Sequence, residues 1–332
     1  MVGSSNLPLA TFVFNYLRRT RLGYHSSQFF VRADQNTKLF KEHPESSSRS
    51  YLRGVAKMVS GRGSVANPGS TLGEAIGALI ESEVNRLLRP MAEDSDCVFL
   101  SVGRPNPRTG RPTKLLLRDE AGNEFNIDSV IANHQMQPLV IIESKYIRYK
   151  KHNRDKGSWI CTAHYSLRRT YPTIRKSIAV IAGSWSGSSK AMMESFDVSL
   201  FEVGFDTIVE ILGRYGVDIS WDEKERHLAM AAWESWQKLS DEQFSEIAYL
   251  LLADIEPQLR EAIAATLDTA IPREVSEVEV TIETNLGESR RYTFTTISEA
   301  IEFLESFDED VILNDTTGPA LWPVDESEKT ST

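Results

Sequence analysis

The chain has 332 residues, 41% apolar and 25% charged, with a net charge of −10. That is the make-up of a globular chain long enough for a sizeable core, and no apolar run reaches membrane-spanning length. Two cysteines, Cys97 and Cys161, without CxxC spacing argue against a zinc cage or a disulfide framework and fit a reducing cytoplasm.

From the N-terminus, MVGSSNLPLATFVFNYLRRTR sets its basic residues after the apolar stretch, the reverse of a secretory signal. Residues 8–21 are therefore expected to form a helix of the folded chain. Residues 41–71, rich in Ser, Gly, Pro and charge, read as loop. Within them Gly61-Arg-Gly63-Ser-Val-Ala66 imitates a dinucleotide fingerprint but has no strand before it, and Pro68-Gly69 follows where a helix should open. Ser70-Thr71 caps a predicted helix over 72–89, with Leu72, Ile76, Leu79, Ile80, Leu87 and Leu88 on its apolar side.

Short strands are predicted next, over 96–103, 113–118, 124–132 and 138–147. A helix over 156–170, a buried strand over 177–182, a strand near 199–205 and a helix near 206–214 follow. This order predicts an α/β fold with a mixed sheet covered by helices. Residues 222–266 are helical in pattern. An acidic ββα unit closes the chain, its strands over 277–284 and 290–296 joined at Asn285-Leu-Gly287 and its helix over 298–307. The last dozen residues read as frayed.

Charge is unevenly spread. From Lys145 to Lys176 there are ten positive residues and a single acid, Asp155, a local balance of +9. Arg104, Arg108, Arg111, Lys114 and Arg118 form a second basic stretch, and beyond Ala253 acids predominate. Such a division can draw an anionic ligand to one face.

In PLVIIESKYI, strand alternation sets Ile141, Glu143 and Lys145 on one face and Ile142 and Ser144 on the other. With a turn at 133–138, residues whose numbers sum to 271 face each other, and Asp128 then opposes Glu143 at about 5 Å between β-carbons. Two carboxylates that close repel, and a divalent cation between them relieves the repulsion. The bland alternative for Asp128, Glu143 and Lys145 is a structural cross-strand ion pair.

Ile127-Asp128 followed by Glu143-Ser144-Lys145 resembles the signature of the PD-(D/E)XK nuclease superfamily, with Ile127 where the signature has proline. The resemblance covers roughly residues 70–185. It implies a restriction-endonuclease-like core of helix, three strands, helix and strand, with further helices and the ββα unit outside it. It also implies Mg2+, with Mn2+ as a substitute, held by Asp128, Glu143 and the backbone carbonyl of Ser144, and Lys145 acting on the attacking water or the transition state. A helix acid often completes the set; Glu74 and Glu81 are the candidates, Glu74 favoured because Gly73 and Gly77 flank it.

The expected phosphate contacts are Arg148, Lys150, Lys151, Arg154, Lys156, Arg168 and Arg169. The activity implied is cleavage of double-stranded DNA by a cytoplasmic, prokaryotic homodimer of restriction type. The alternatives are a less specific defence or repair nuclease, a junction resolvase, or a non-catalytic DNA-binding protein that keeps the fold. Trp159 and Tyr165 are read as core residues, His134 as a turn residue, and His152-Asn153 as lacking the second histidine of another nuclease motif. The run GSWSGSS at 183–189 fails the register of a nucleophile elbow.

Overall fold

The computed structural model describes residues 67–104, 106, 111 and 113–308. The predicted helix over 8–21, the loop over 41–66 with its glycine motif, Arg108 and the frayed end lie outside them. Helix α1 (Pro68–Asp94) opens earlier than predicted. Asn67 is its cap, accepting from Ser70 N at 3.2 Å, and Pro68 stands at the first helical position. Proline is suited there because its φ is pre-set and its missing N–H has no helical partner to lose. Pro68-Gly69, expected as loop, is the helix start.

Strands β1 (Val98–Leu100), β2 (Leu116–Arg118), β3 (Glu124–Asn126), β4 (Ser129–Ala132) and β5 (Pro138–Ile147) follow. A single 3-10 turn (Lys150–His152) leads into α2 (Asn153–Thr170), then β6 (Lys176–Gly183), α3 (Gly187–Ser195), β7 (Val198–Gly204) and α4 (Phe205–Arg214). Five strands form a mixed sheet in the order β1-β4-β5-β6-β7. β4 is antiparallel to β1 and β5, whereas β5, β6 and β7 are parallel. The predicted strand over 124–132 is broken. β3 pairs with β2 in a separate hairpin, the chain bends at Asp128, and β4 begins at Ser129.

Helices cover both faces of the sheet. Ile131, Val140, Ile142, Ile178 and Val180 share a core with Leu72, Ile76, Leu79 and Leu87 of α1 and with Ile208 and Leu212 of α4. On the opposite face, Val130 and Ile141 pack with Ala163 and Leu167 of α2. Ile147, Ala179 and Ile181 pack there with Ile160 of α2 and Met193 of α3. Burial on both faces is why β5 and β6 read as almost unbroken apolar runs. Helix α3 has no counterpart in the sequence reading. Its signal was Ser186, which accepts from Ser189 N at 3.2 Å as a cap, in the very run weighed as a nucleophile elbow.

Helices α5 (Arg226–Trp236), α6 (Asp241–Leu252) and α7 (Glu256–Leu267) join the core on the α1 side. The closing unit consists of β8 (Val278–Glu283), antiparallel to β9 (Ser289–Phe294), and α8 (Ile297–Glu305). Phe303 of α8 stacks on Tyr292 and Phe294 at 4.5 and 5.1 Å. Among the described residues no helix is long and apolar enough to cross a membrane.

Candidate active site

The β4–β5 pairing places the acids. Ser129↔Ile142, Val130↔Ile141 and Ile131↔Val140 are partners, the register that the hairpin arithmetic predicts, with an irregularity only at the turn end, between Ile131 and Ala132. Asp128 stands one residue beyond the last pair, where the bend takes its backbone out of the ladder. Its side chain fills the gap: Oδ2 accepts from Ser144 N at 2.9 Å and from Lys145 Nζ at 3.0 Å. The N–H and C=O of one strand residue point the same way. The Ser144 carbonyl therefore faces the same gap as the N–H that Asp128 holds.

Glu143 is fully buried on β5. Its Oε2 lies 2.6 Å from Lys145 Nζ as an ion pair, without the alignment of a directed hydrogen bond, and its Oε1 meets no donor among the described residues. A buried carboxylate oxygen left without a partner is costly. Burial, reinforced by the Asp128 charge and opposed by Lys145, raises the Glu143 pKa well above the ordinary value. For Lys145 burial acts downward, but Glu143 and Asp128 outweigh it and hold the ammonium above its ordinary range. The two directions conflict if read separately, since a neutral Glu143 would not support Lys145. Taken as one unit, the cluster has a single ammonium for more negative charge than it can balance.

The further acid is Glu81, not Glu74. Its carboxyl is pushed up to about 7 by burial and by the Asp128 charge, with Lys145 opposing. Glu74 is exposed. The two share a helical face, but seven residues at 1.5 Å rise separate them by roughly 10 Å along the axis, and Glu81 is the one level with Asp128. Gly73 and Gly77, offered as room for Glu74, instead lie against Tyr146 of β5, which the β-carbons of alanines there would approach to 3.5 Å.

His164 of α2 is also buried close by. Burial pushes its pKa down to about 3, with the Lys145 and Arg168 charges adding to the effect and Asp128 opposing it. Neither ring nitrogen meets a hydrogen-bond partner among the described residues. Lys145 opens onto a groove of about 520 Å3 lined by Asn126, His152, Asp155, Lys156 and Trp159. Trp159 and Tyr165, expected in the core, are 37% and 48% exposed. Asn153 is buried and accepts from Ser189 Oγ at 3.0 Å, and His134 lies in its turn, 2.9 Å from Asp96.

Comparison of the chain with protein-family models, with curated proteins and with solved structures returned no match.

The predicted phosphate contacts divide into two groups. Arg148 is engaged inside the protein: its guanidinium lies 3.5 Å from the centre of the Trp221 ring, with Tyr149 and Phe205 also close, and it donates to the Trp221 carbonyl. Lys151 pairs with Glu223 at 2.5 Å and Arg168 with Asp197 at 3.3 Å, while Arg169 donates to Tyr165 Oη. Lys150, Arg154 and Lys156 are exposed, and no ion pair joins them to another of the described residues.

The oxygens of these acids are hard donors of the kind that magnesium takes. Among the described residues no group of three or more histidine, cysteine or acidic side chains is placed to hold a metal ion. Magnesium needs none, being commonly held by one or two carboxylates while water and phosphate complete its shell. Both hydrogen bonds to Asp128 go to Oδ2, which leaves Oδ1, the orphaned Glu143 Oε1 and the Ser144 carbonyl as hard oxygen donors on one gap.

Proposed function

We propose that this chain is a magnesium-dependent nuclease of PD-(D/E)XK type that hydrolyses DNA phosphodiester bonds. The observation that carries the reading is a crowding of acids: Asp128 and Glu143 both lie within 3.0 Å of one ammonium, Lys145, and Glu81 feels the charges of Asp128 and Lys145. Burial and mutual repulsion hold Glu143 and Glu81 toward their neutral forms, and a divalent cation would let them ionise together. A structural ion pair would need only one acid for the lysine. It would not bury a second carboxylate with an unpartnered oxygen. The element order supports the same reading, since α1, β1, the β4–β5 hairpin, α2 and β6 follow the sequence of the superfamily core.

Asp128, Glu143 and the Ser144 carbonyl would hold the ion, with Mn2+ an acceptable substitute, and Glu81 would complete its surroundings. When bound, it would polarise the scissile phosphate and acidify a water. Lys145, held protonated by its neighbours, sets a fixed positive charge beside the space where the phosphorane's charge develops. Glu81, whose carboxyl gains and loses its proton near neutrality, is suited to accept one from the attacking water. Lys150, Arg154 and Lys156 would meet the backbone flanking the cut. A duplex cut on both strands needs two such sites, so a restriction-type homodimer is the assembly this reading implies.

The test is incubation of the protein with plasmid DNA in magnesium or in chelator. Cleavage is expected in magnesium alone, reduced about 100-fold or more by Lys145→Ala and by Asp128→Asn. Equal cutting by parent and variants would refute the assignment.

A further inference from the structure

The groove beside Lys145 has a composition that contact with a DNA backbone does not explain. A channel built only to follow phosphates is lined by cations. This one contains Asp155, which repels phosphate, the Asn126 amide, and an indole 37% exposed to solvent. Trp159 stands edge-on to Phe125 with ring centres 6.5 Å apart, and Lys145 Nζ lies 5.8 Å from the Trp159 ring centre. The indole is thus braced by the hairpin that leads into Asp128 and sits next to the candidate catalytic lysine.

A flat aromatic surface with hydrogen-bonding groups beside it is the arrangement that takes an unstacked nucleobase. A carboxylate accepts from an exocyclic amino group, and a carboxamide matches an acceptor–donor edge. Lys145 and Lys156 supply positive charge on the same groove for the phosphates on either side. At about 520 Å3 the space can admit one nucleotide, whereas a duplex would lie across its mouth.

We propose that this groove seats a single unpaired nucleobase on Trp159, with Asp155 and Asn126 reading its edge. Substrates with an unstacked nucleotide beside the scissile bond, whether single-stranded, mismatched or extruded, would then be preferred over regular duplex. The inference rests on the nuclease reading for the identity of the ligand, but its test does not depend on cleavage.

The test uses the full chain in chelator and oligonucleotides carrying 2-aminopurine, either single-stranded or fully paired. Binding of the single strand is expected to quench the probe. Trp159→Ala should weaken that binding roughly 5- to 150-fold, the span of one base–aromatic stack. Duplex binding should be unchanged, and Trp159→Phe should keep most of the affinity. Single-strand binding by Trp159→Ala equal to the parent's would overturn the base seat, as would a loss that Trp159→Phe shares in full.

Cleavage of the same oligonucleotides in magnesium separates the two ideas. If the parent cuts and Trp159→Ala cuts paired and unpaired forms in the parent's ratio, the nuclease stands and the base seat fails. If the parent never cuts but quenching still depends on Trp159, the base seat stands and the nuclease fails.

Discussion

Glu81 sits on α1 with its carboxyl pushed up to about 7 from its ordinary value of 4.5, because burial and the Asp128 charge both favour the neutral form. A folded-state pKa raised above the unfolded one adds stability that is complete below the unfolded value and is lost as pH rises through the folded one. The shift corresponds to about 3 kcal/mol. In metal-free protein, Glu81→Gln is therefore expected to resist urea better than the parent at pH 8, by up to that amount, and to match it at pH 4. Saturating magnesium should shrink or reverse the pH 8 advantage, since the parent then gains from binding. Identical urea midpoints at both pH values would show that Glu81 is not held where its charge is costly. Glu74→Gln, on the exposed turn, should change neither stability nor cleavage.

At the scale of elements, the β4–β5 hairpin and its neighbours were legible and the surroundings were not. Strand alternation has a period of two and the turn between Ala132 and Pro138 is short, so the register beside Asp128 and Glu143 could be read from residue numbers alone, although the bend takes Asp128 itself out of the ladder. The break at Asp128 was hidden because EFNIDSVIA keeps an alternating pattern through the bend. The choice between Glu74 and Glu81 depends on how far α1 slides along β5, which no periodicity encodes. Arg148 was misjudged for a related reason. It follows the site in a basic run, but its partner Trp221 is 73 positions away and reaches it only through the fold.

The packing of Arg148 leads to a contrast between neighbours in that run. Arg148→Lys keeps the charge but loses the planar stack on Trp221 and its bond to the carbonyl. It should lower stability by about 1–2 kcal/mol in urea and leave the salt dependence of DNA binding unchanged. Combined alanines at Lys150, Arg154 and Lys156 should leave the urea midpoint in place. They should flatten the slope of log K against log salt by up to about 2.7, the value for three phosphate contacts. A flattened slope in Arg148→Lys, or none in the triple variant, would reverse the two assignments.

For the whole molecule, the +9 stretch between Lys145 and Lys176 is a count that the fold reduces. Several of its cations are held by Glu223, Asp197, Tyr165 and the Trp221 ring, and Arg175 donates to the Thr266 carbonyl. The field at the groove therefore comes from a few side chains, not from the segment. The acidic end is separate in another respect: among the described residues the large core around α1 extends no further along the chain than Leu267, and α8 packs on its own hairpin through Phe303. A chain ending after residue 270 should accordingly melt within a few degrees of the parent.

The hairpin that carries Asp128 and Glu143 also affects the order of assembly. Its strands meet across a turn of a few residues, whereas β5 can pair with β6 only after α2 has crossed between them. Local closure precedes long-range pairing, so the two carboxylates are driven together while most of the sheet is still unformed. In that open hairpin water screens their repulsion, so its cost falls on the later step in which α1 and α2 bury them. The pair that would hold the metal thus opposes the closing of the core more than the making of the hairpin.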